Sequence, residues 1–191
     1  MGSLPGSEMT GYTISDLEPH MRAAVAQAAA LLHRVFAPQG SWVTLTEAED
    51  EVAGMQASER LLRVALADGD VIGWIGGIPE YDGNVWELHP LVVAPEWQGR
   101  GVGTALVRDF ESLVAARGGL TIQLGSDDVT DATSLSGVDL YSETFEKIRA
   151  IRNLKRHPFE FYQKQGYSII GVVPDANGRG RPDILMGKRV G

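Results

Sequence analysis

Glu87 and His89 stand two residues apart in Trp86-Glu87-Leu88-His89-Pro90-Leu91-Val92-Val93, a stretch that is otherwise apolar. In an extended chain side chains alternate between faces, so Glu87, His89 and Leu91 point the same way. Two ionisable groups on one face of an apolar strand need a reason, because an unpaired buried charge costs free energy. A salt-bridged carboxylate and a hydrogen-bonded structural histidine would satisfy that need. So would a carboxylate and an imidazole placed to bind or move a proton. Pro90 donates nothing to a ladder. Inside an apparently central strand it predicts a bulge or a splayed edge that leaves nearby backbone N–H groups free for other work.

Directly after this strand comes Trp97-Gln98-Gly99-Arg100-Gly101-Val102-Gly103, followed by the helix-like run Thr104-Ala105-Leu106-Val107-Arg108-Asp109-Phe110. A helix entered straight from a strand presents N–H groups without intrahelical partners and a partial positive charge. Glycines let a ligand approach that backbone with no Cβ in the way. Such a seam is either a tight turn and nothing more, or an anion site with phosphate as its usual guest. The spacing is not that of a P-loop, since no Lys-Ser/Thr pair follows, and it differs from G-x-G-x-x-G.

The elements that must position these residues follow from pattern. "YTISDL" reads as a first strand and "EPHMRAAVAQAAALLHRVF" as an amphipathic helix with Pro19 in its first turn. "TEAEDEVAGMQA" reads as a second helix with Thr46 as N-cap and Glu49 completing a capping box. "LLRVALADGDVIGWIGGIP" is a hairpin turning at Asp68-Gly69-Asp70. The helix after the glycine turn closes at Gly118, and "LTIQLG" reads as a strand buried on both faces. A polar insertion between Gly125 and Arg156 runs into a helix with Phe145, Ile148 and Ile151 on one side. "HPFEFYQKQGY" is a short helix capped by Gly166, and "SIIGVVP" and "DILMGKRV" are final strands around a turn-rich "DANGRGR". The order implies a mixed α/β sheet with helices on both faces, in one domain spanning residues 9–191.

Composition bounds the rest. The chain has 191 residues, 43% of them hydrophobic, which suffices for a real core. Lys and Arg total 17 against 25 Asp and Glu, a formal charge of -8. That sign disfavours nucleic acid and anionic membranes as partners and favours a cation. The chain contains no cysteine, which excludes disulfides and thiolate metal sites and fits a reducing, cytoplasmic setting. His20, His33 and His157 form no metal-ligand spacing, so no metal is expected. No apolar run is long enough to span a membrane. Residues 1–8 read as an appended leader of cloning origin, with the natural start at Met9.

Gln98-Gly99-Arg100-Gly101-Val102-Gly103 resembles the Q/R-x-x-G-x-G/A signature of the GNAT superfamily of N-acetyltransferases, in the same strand–turn–helix setting. The resemblance implies the GNAT fold, an α/β sheet flanked by helices. It also implies acetyl-coenzyme A as the donor, held by Leu91, Val92, Val93, Gln98, Gly99, Arg100, Gly101, Val102, Gly103 and Thr104. "WELHPLVV", "ARGGLTIQLGSDD", "DLYSETFEKI", "NLKRHPFEFYQKQGY" and "GVVPDANGRGRPDI" carry it further. Across Val71 to Val190 the chain is similar to the aminoglycoside 6'-N-acetyltransferases. One departure is Ser126, where that pattern has threonine.

What the resemblance implies agrees with the residue chemistry. An alkyl amine near pKa ~10 must lose a proton before it attacks a thioester, and Glu87 would take it. The Leu91 N–H would polarise the thioester carbonyl, and Tyr162 would return a proton to the leaving thiolate. With no cysteine to carry an acyl group, direct attack in a ternary complex is expected. A polycationic aminoglycoside needs acidic and aromatic surroundings. Trp42, Tyr81, Glu87, His89, Asp127, Asp128, Asp139 and Glu143 are the candidates for binding it. For the insertion's acids a solvated loop is the other reading, and for Trp42 and Tyr162 a place in the core. A homodimer is implied as well. The competing functions are acetylation of a polyamine or protein amine, and a coenzyme-A-binding sensor without catalysis.

Overall fold

The computed structural model describes residues 11–191; the leader assigned to residues 1–8 and the start at Met9 lie outside them. Alternation and turn chemistry account for the strands. Asp68 and Gly69 both take positive φ, 50° and 89°, the two-residue turn whose twist matches its flanking strands. They join β2 (Leu61–Ala67) to β3 (Asp70–Glu80). With β1 (Thr13–Asp16), β4 (Val85–Val93), β5 (Thr121–Asp127), β6 (Ser168–Val173) and β7 (Asp183–Arg189), they form a seven-stranded sheet ordered β1-β2-β3-β4-β5-β7-β6. The sheet is mixed: β4 and β5 are parallel, whereas β5–β7 and β6–β7 are antiparallel.

Among the described residues, five α-helices accompany the strands: α1 (Arg22–Phe36), α2 (Leu45–Met55), α3 (Val102–Ala116), α4 (Thr144–Arg149) and α5 (Phe159–Lys164). Two boundaries differ from expectation. Pro19 precedes α1 in a turn instead of lying in its first turn, and the helix starts at Arg22. The sequence offers overlapping Thr-x-x-Glu boxes two residues apart, and α2 uses the earlier one. Thr44 accepts the Glu47 amide at 3.2 Å while Glu47 Oε2 accepts the Thr44 amide at 3.2 Å. Starting earlier adds helical hydrogen bonds and leaves the buried face of Ala48, Val52 and Met55 unchanged.

The chain groups into two compact units. Among the described residues, one comprises those up to Gly76 together with Pro90–Asp109, and the other Gly77–His89 and Phe110–Gly191. The first buries Ala28, Leu32, Val52, Met55, Trp74, Ile75 and Leu106, and Trp74 Nε1 donates to the Ala28 carbonyl at 3.0 Å. On its flank the Arg63 guanidinium bridges Asp16 and Asp109, each at 2.7 Å. The second buries Phe110, Val114, Ile122, Leu124, Leu135, Phe159, Ile184 and Met186.

Two expectations in this second unit are corrected. β5 is buried on one face alone: Ile122, Leu124 and Ser126 are covered, while Gly125 and Asp127 are exposed. Its apolar residues alternate with Gln123 and Asp127, which marks a half-covered strand. The insertion's helix, α4, stops at Arg149, before Ile151, and buries none of its residues; Phe145 is 74% exposed.

Candidate active site

Strand β4 alternates strictly. Trp86, Leu88, Pro90 and Val92 are buried, and Glu87, His89 and Leu91 share the half-covered face, as their spacing requires. The parallel ladder matches Val85, Trp86 and Glu87 with Thr121, Ile122 and Gln123 and ends at Glu87, three residues before Pro90. β5 continues alone against β7 as far as Asp127. An interruption here is what a proline inside the strand predicts.

After β4 the chain makes a 3-10 turn, Pro95–Trp97. The Trp97 and Gln98 amides both donate to the Ala94 carbonyl, at 2.8 and 3.1 Å, and Gln98 Nε2 ties back to Val93 O at 3.1 Å. Gly99 and Gly101 take φ of 74° and 85°, in the region where a side chain is strained. Open space lies beside both: a Cβ on either would meet no atom within 4 Å. α3 begins at Val102, and Ala105 makes the bond back to Gly101 O at 2.9 Å. The turn therefore presents exposed backbone at the positive end of a 15-residue helix.

Tyr81, Asp127, Asp128, Asp139 and Glu143, with Glu87 and His89, fall in the second unit, and Trp42 in the first. Tyr81 is 73% exposed on a turn between β3 and β4, and Asp139 and Glu143 are exposed. The Tyr141 amide, the Ser142 hydroxyl and Lys147 hold the Asp139 carboxyl below the usual carboxylate range. Asp127, exposed, is oriented by Asn177 Nδ2 at 2.6 Å.

Asp128 departs from its expected place. Its side chain is wholly buried, and Oδ1 accepts the Ala132 amide at 2.6 Å. Oδ2 accepts the Thr133 amide, the Thr133 hydroxyl and the Ser136 hydroxyl at 2.8, 2.7 and 2.6 Å. Burial pushes its pKa upward, but the donors outweigh it and the carboxyl stays below the ordinary range. Wholly buried and bonded to the loop through both oxygens, Asp128 organises the insertion.

Trp42 packs edge-on against Phe36, centroids 5.4 Å apart, with Nε1 3.4 Å from Glu51 Oε2. It borders an open pocket lined also by Glu47, Asp50, Glu51 and Arg60. Tyr162 is 9% exposed, and burial pushes its hydroxyl far above the ordinary phenol range, so it remains protonated at neutral pH. Its ring meets those of Phe161 and Tyr167 edge-on at 5.1 and 5.8 Å.

Two further groups were not singled out by sequence. Asp183, on β7, lies across Gly125; burial, then Asp127 and Glu87, push its carboxyl up to about 6. His157, set aside for lack of a metal pattern, is buried. Its Nδ1 accepts the Phe159 amide at 3.2 Å and its Nε2 lies 3.2 Å from the Asp127 carbonyl. Asn153 grips its backbone on both sides, at 2.7 and 2.9 Å. No local signal announces either residue, because each acts through partners brought in by the fold. Among the described residues, no group of three or more His, Asp or Glu could hold a metal ion, and no helix is long and apolar enough to cross a membrane.

Residues 24–145 match the model of the Acetyltransferase (GNAT) family. The chain is similar to an aminoglycoside 6'-N-acetyltransferase solved in complex with coenzyme A. That match has 41% identity over 93% of this chain and 97% of that one, with a TM-score of 0.87. It is similar to the aminoglycoside 6'-N-acetyltransferase from Enterococcus faecium at the same identity and coverage, with a TM-score of 0.85. An aminoglycoside 6'-acetyltransferase type Ii matches at 35% identity over 93% of this chain and 97% of that one, TM-score 0.72.

Proposed function

The chain belongs to the Acetyltransferase (GNAT) family and uses acetyl-coenzyme A, and on that premise we propose that it acetylates the 6'-amine of aminoglycosides. The observation that carries this reading is β4, which presents Glu87, His89 and Leu91 on one face and leads into the open glycine turn. The aminoglycoside as acceptor comes from the relatives described above.

Gln98, Gly99, Arg100, Gly101, Val102, Gly103 and Thr104 receive the pyrophosphate, whose charge suits the exposed amides and the helix end. Leu91, Val92 and Val93 line the pantetheine arm, and the Leu91 N–H donates to the thioester oxygen as it becomes an oxyanion. Glu87 binds the 6'-ammonium and removes its proton, directly or through water. The amine nitrogen then attacks the thioester carbon, and the nitrogen of the tetrahedral intermediate loses its second proton to solvent water. The C–S bond breaks to leave the neutral amide, and the Tyr162 hydroxyl gives its proton to the departing thiolate and is reprotonated from solvent. Tyr162 holds its proton at neutral pH, as a donor must, while burial makes that proton harder to give up. No cysteine exists to accept an acyl group, which supports direct attack in a ternary complex.

Asp127, Asp139, Glu143, Tyr81, His89 and Trp42 are the proposed contacts for the remaining rings and ammonium groups. A homodimer, a cytoplasmic location and a role in antibiotic resistance belong to the same reading and rest on the subfamily resemblance. Light scattering on the purified chain tests the dimer.

The function is tested by offering kanamycin, spermidine and an unblocked peptide with acetyl-coenzyme A and following free thiol. Release with kanamycin alone supports the reading. Turnover of spermidine or peptide in its place replaces the acceptor, and coenzyme binding without thiol release on any amine makes the chain a sensor. Glu87→Ala should lose most turnover while still binding coenzyme; full activity in that variant removes Glu87 from the mechanism.

A further inference from the structure

The glycine turn is flanked by a stack of side chains that its backbone chemistry does not require. The Arg100 guanidinium lies over the Trp97 ring, 5.2 Å from its centroid. Tyr12 meets the same ring edge-on, centroids 6.4 Å apart. Glu96, the neighbouring residue, would place a negative charge beside a site meant for anions. Arg34 answers it, with Nη2 3.2 and 3.5 Å from the two carboxylate oxygens. That arginine also helps hold the Glu96 carboxyl below the ordinary range, after the larger effect of a backbone hydrogen bond. All of these residues lie in the first unit.

An exposed arginine ordinarily samples many rotamers, and ordering it when a ligand arrives costs entropy. A guanidinium resting on an aromatic face has part of that freedom removed beforehand. Trp97 is half-buried while Arg100 is exposed, so the ring is fixed and the cation remains open to a ligand. Tyr12 holds the ring from its edge.

We propose that Trp97 is a positioning residue for the donor: it holds the Arg100 guanidinium beside the glycine turn, ready to contact a phosphate of acetyl-coenzyme A. This goes beyond the backbone cradle, which needs neither side chain, and it rests on the reading that the turn binds the coenzyme.

The test measures Kd for coenzyme A and for 3'-dephospho-coenzyme A on the full chain at low and at high salt. Wild type is compared with Trp97→Leu, Trp97→Phe, Arg100→Ala and the double variant Trp97→Leu/Arg100→Ala. A cation–π contact of this exposure corresponds to about a two- to fivefold loss of affinity in Trp97→Leu at low salt. The loss should shrink at high salt, because ions screen the exposed charge it acts through. Trp97→Phe should recover part of it, kcat at saturating donor should be unchanged, and Trp97→Leu should add nothing once Arg100 is alanine. If the loss disappears with the dephospho form, the 3'-phosphate is the partner; if it persists, the pyrophosphate is. An unchanged Kd in Trp97→Leu overturns the proposal. So does a loss equal at both salt concentrations or additive with Arg100→Ala, either of which marks a merely structural tryptophan. Failure of the wild type to bind coenzyme A would instead sink the cradle reading itself.

Discussion

Asp183 lies directly over the bare backbone of Gly125: a Cβ built on that glycine would stand 2.8 Å from Asp183 Oδ1. The register sets this up, since Asp127 pairs with Asp183 and Gly125 with Leu185, leaving Asp183 diagonal to Gly125 on the same face. Without a side chain at 125, the carboxylate turns inward, and its Oδ1 is buried without a hydrogen-bond partner.

That placement has a pH signature. Burial, reinforced by Asp127 and Glu87, raises the Asp183 carboxyl from 3.8 to about 6. A raised carboxyl binds its proton more tightly folded than unfolded. Its contribution to stability is therefore complete below 3.8 and is lost as pH rises through about 6. Asp183→Asn should melt at a higher temperature than wild type at pH ~7.5, with the difference fading near pH ~4. Thermal unfolding across that range decides it, and a variant equally or less stable at the higher pH contradicts the assignment.

His157 titrates in the opposite sense. Burial lowers its pKa from 6.5 despite the Asp127 carbonyl and the charges of Asp128 and Asp127, which act to raise it. The neutral ring accepts the Phe159 amide at Nδ1, and protonation would remove that acceptor. Its contribution is full above 6.5 and is lost as pH falls toward and through the lowered value. An NMR titration of the imidazole should give a midpoint below 6.5. In Asp183→Asn the acid-side loss of stability should steepen, because the opposing carboxyl is gone.

Asp128 and Asp139 lie in one insertion and should respond differently to loss of charge. Asp128→Ala removes the acceptor for four donors in a buried loop and should cost about 3 kcal/mol or more, read from the denaturant midpoint. Asp139→Ala, on an exposed side chain, should leave that midpoint within about 0.5 kcal/mol and raise KM for the aminoglycoside.

Tyr162→Phe removes the hydroxyl and keeps the ring that packs on Phe161 and Tyr167. Loss of a general acid should lower kcat by about a hundredfold or more with little change in melting temperature. An unchanged kcat would return Tyr162 to the core.

The parts of this protein legible in its sequence are those governed by neighbours along the chain. A period of two puts Glu87, His89 and Leu91 on one face of β4. Asp68-Gly69 specifies a hairpin, and glycines at 99 and 101 specify an open turn before a helix. These rest on backbone sterics and local hydrogen bonding, so spacing alone determines them. Where local signals were degenerate, as with the two overlapping capping boxes, the boundary moved by two residues. In "LTIQLG" the alternation of Ile122 and Leu124 with Gln123 and Gly125 carries the half-covered state of β5, whereas apolar content alone points to burial on both faces.

Only the tertiary structure decided what the acidic residues do. Asp127, Asp128, Asp139 and Glu143 are alike in sequence, yet Asp128 turns inward onto Ala132, Thr133 and Ser136 while Asp139 and Glu143 stay exposed. Asp183 meets Gly125, and Asn177 meets Asp127, because β7 inserts antiparallel beside β5. A carboxylate's role follows from its solvation and its partners. Across such separations those are set by strand order, which no short stretch of this chain encodes.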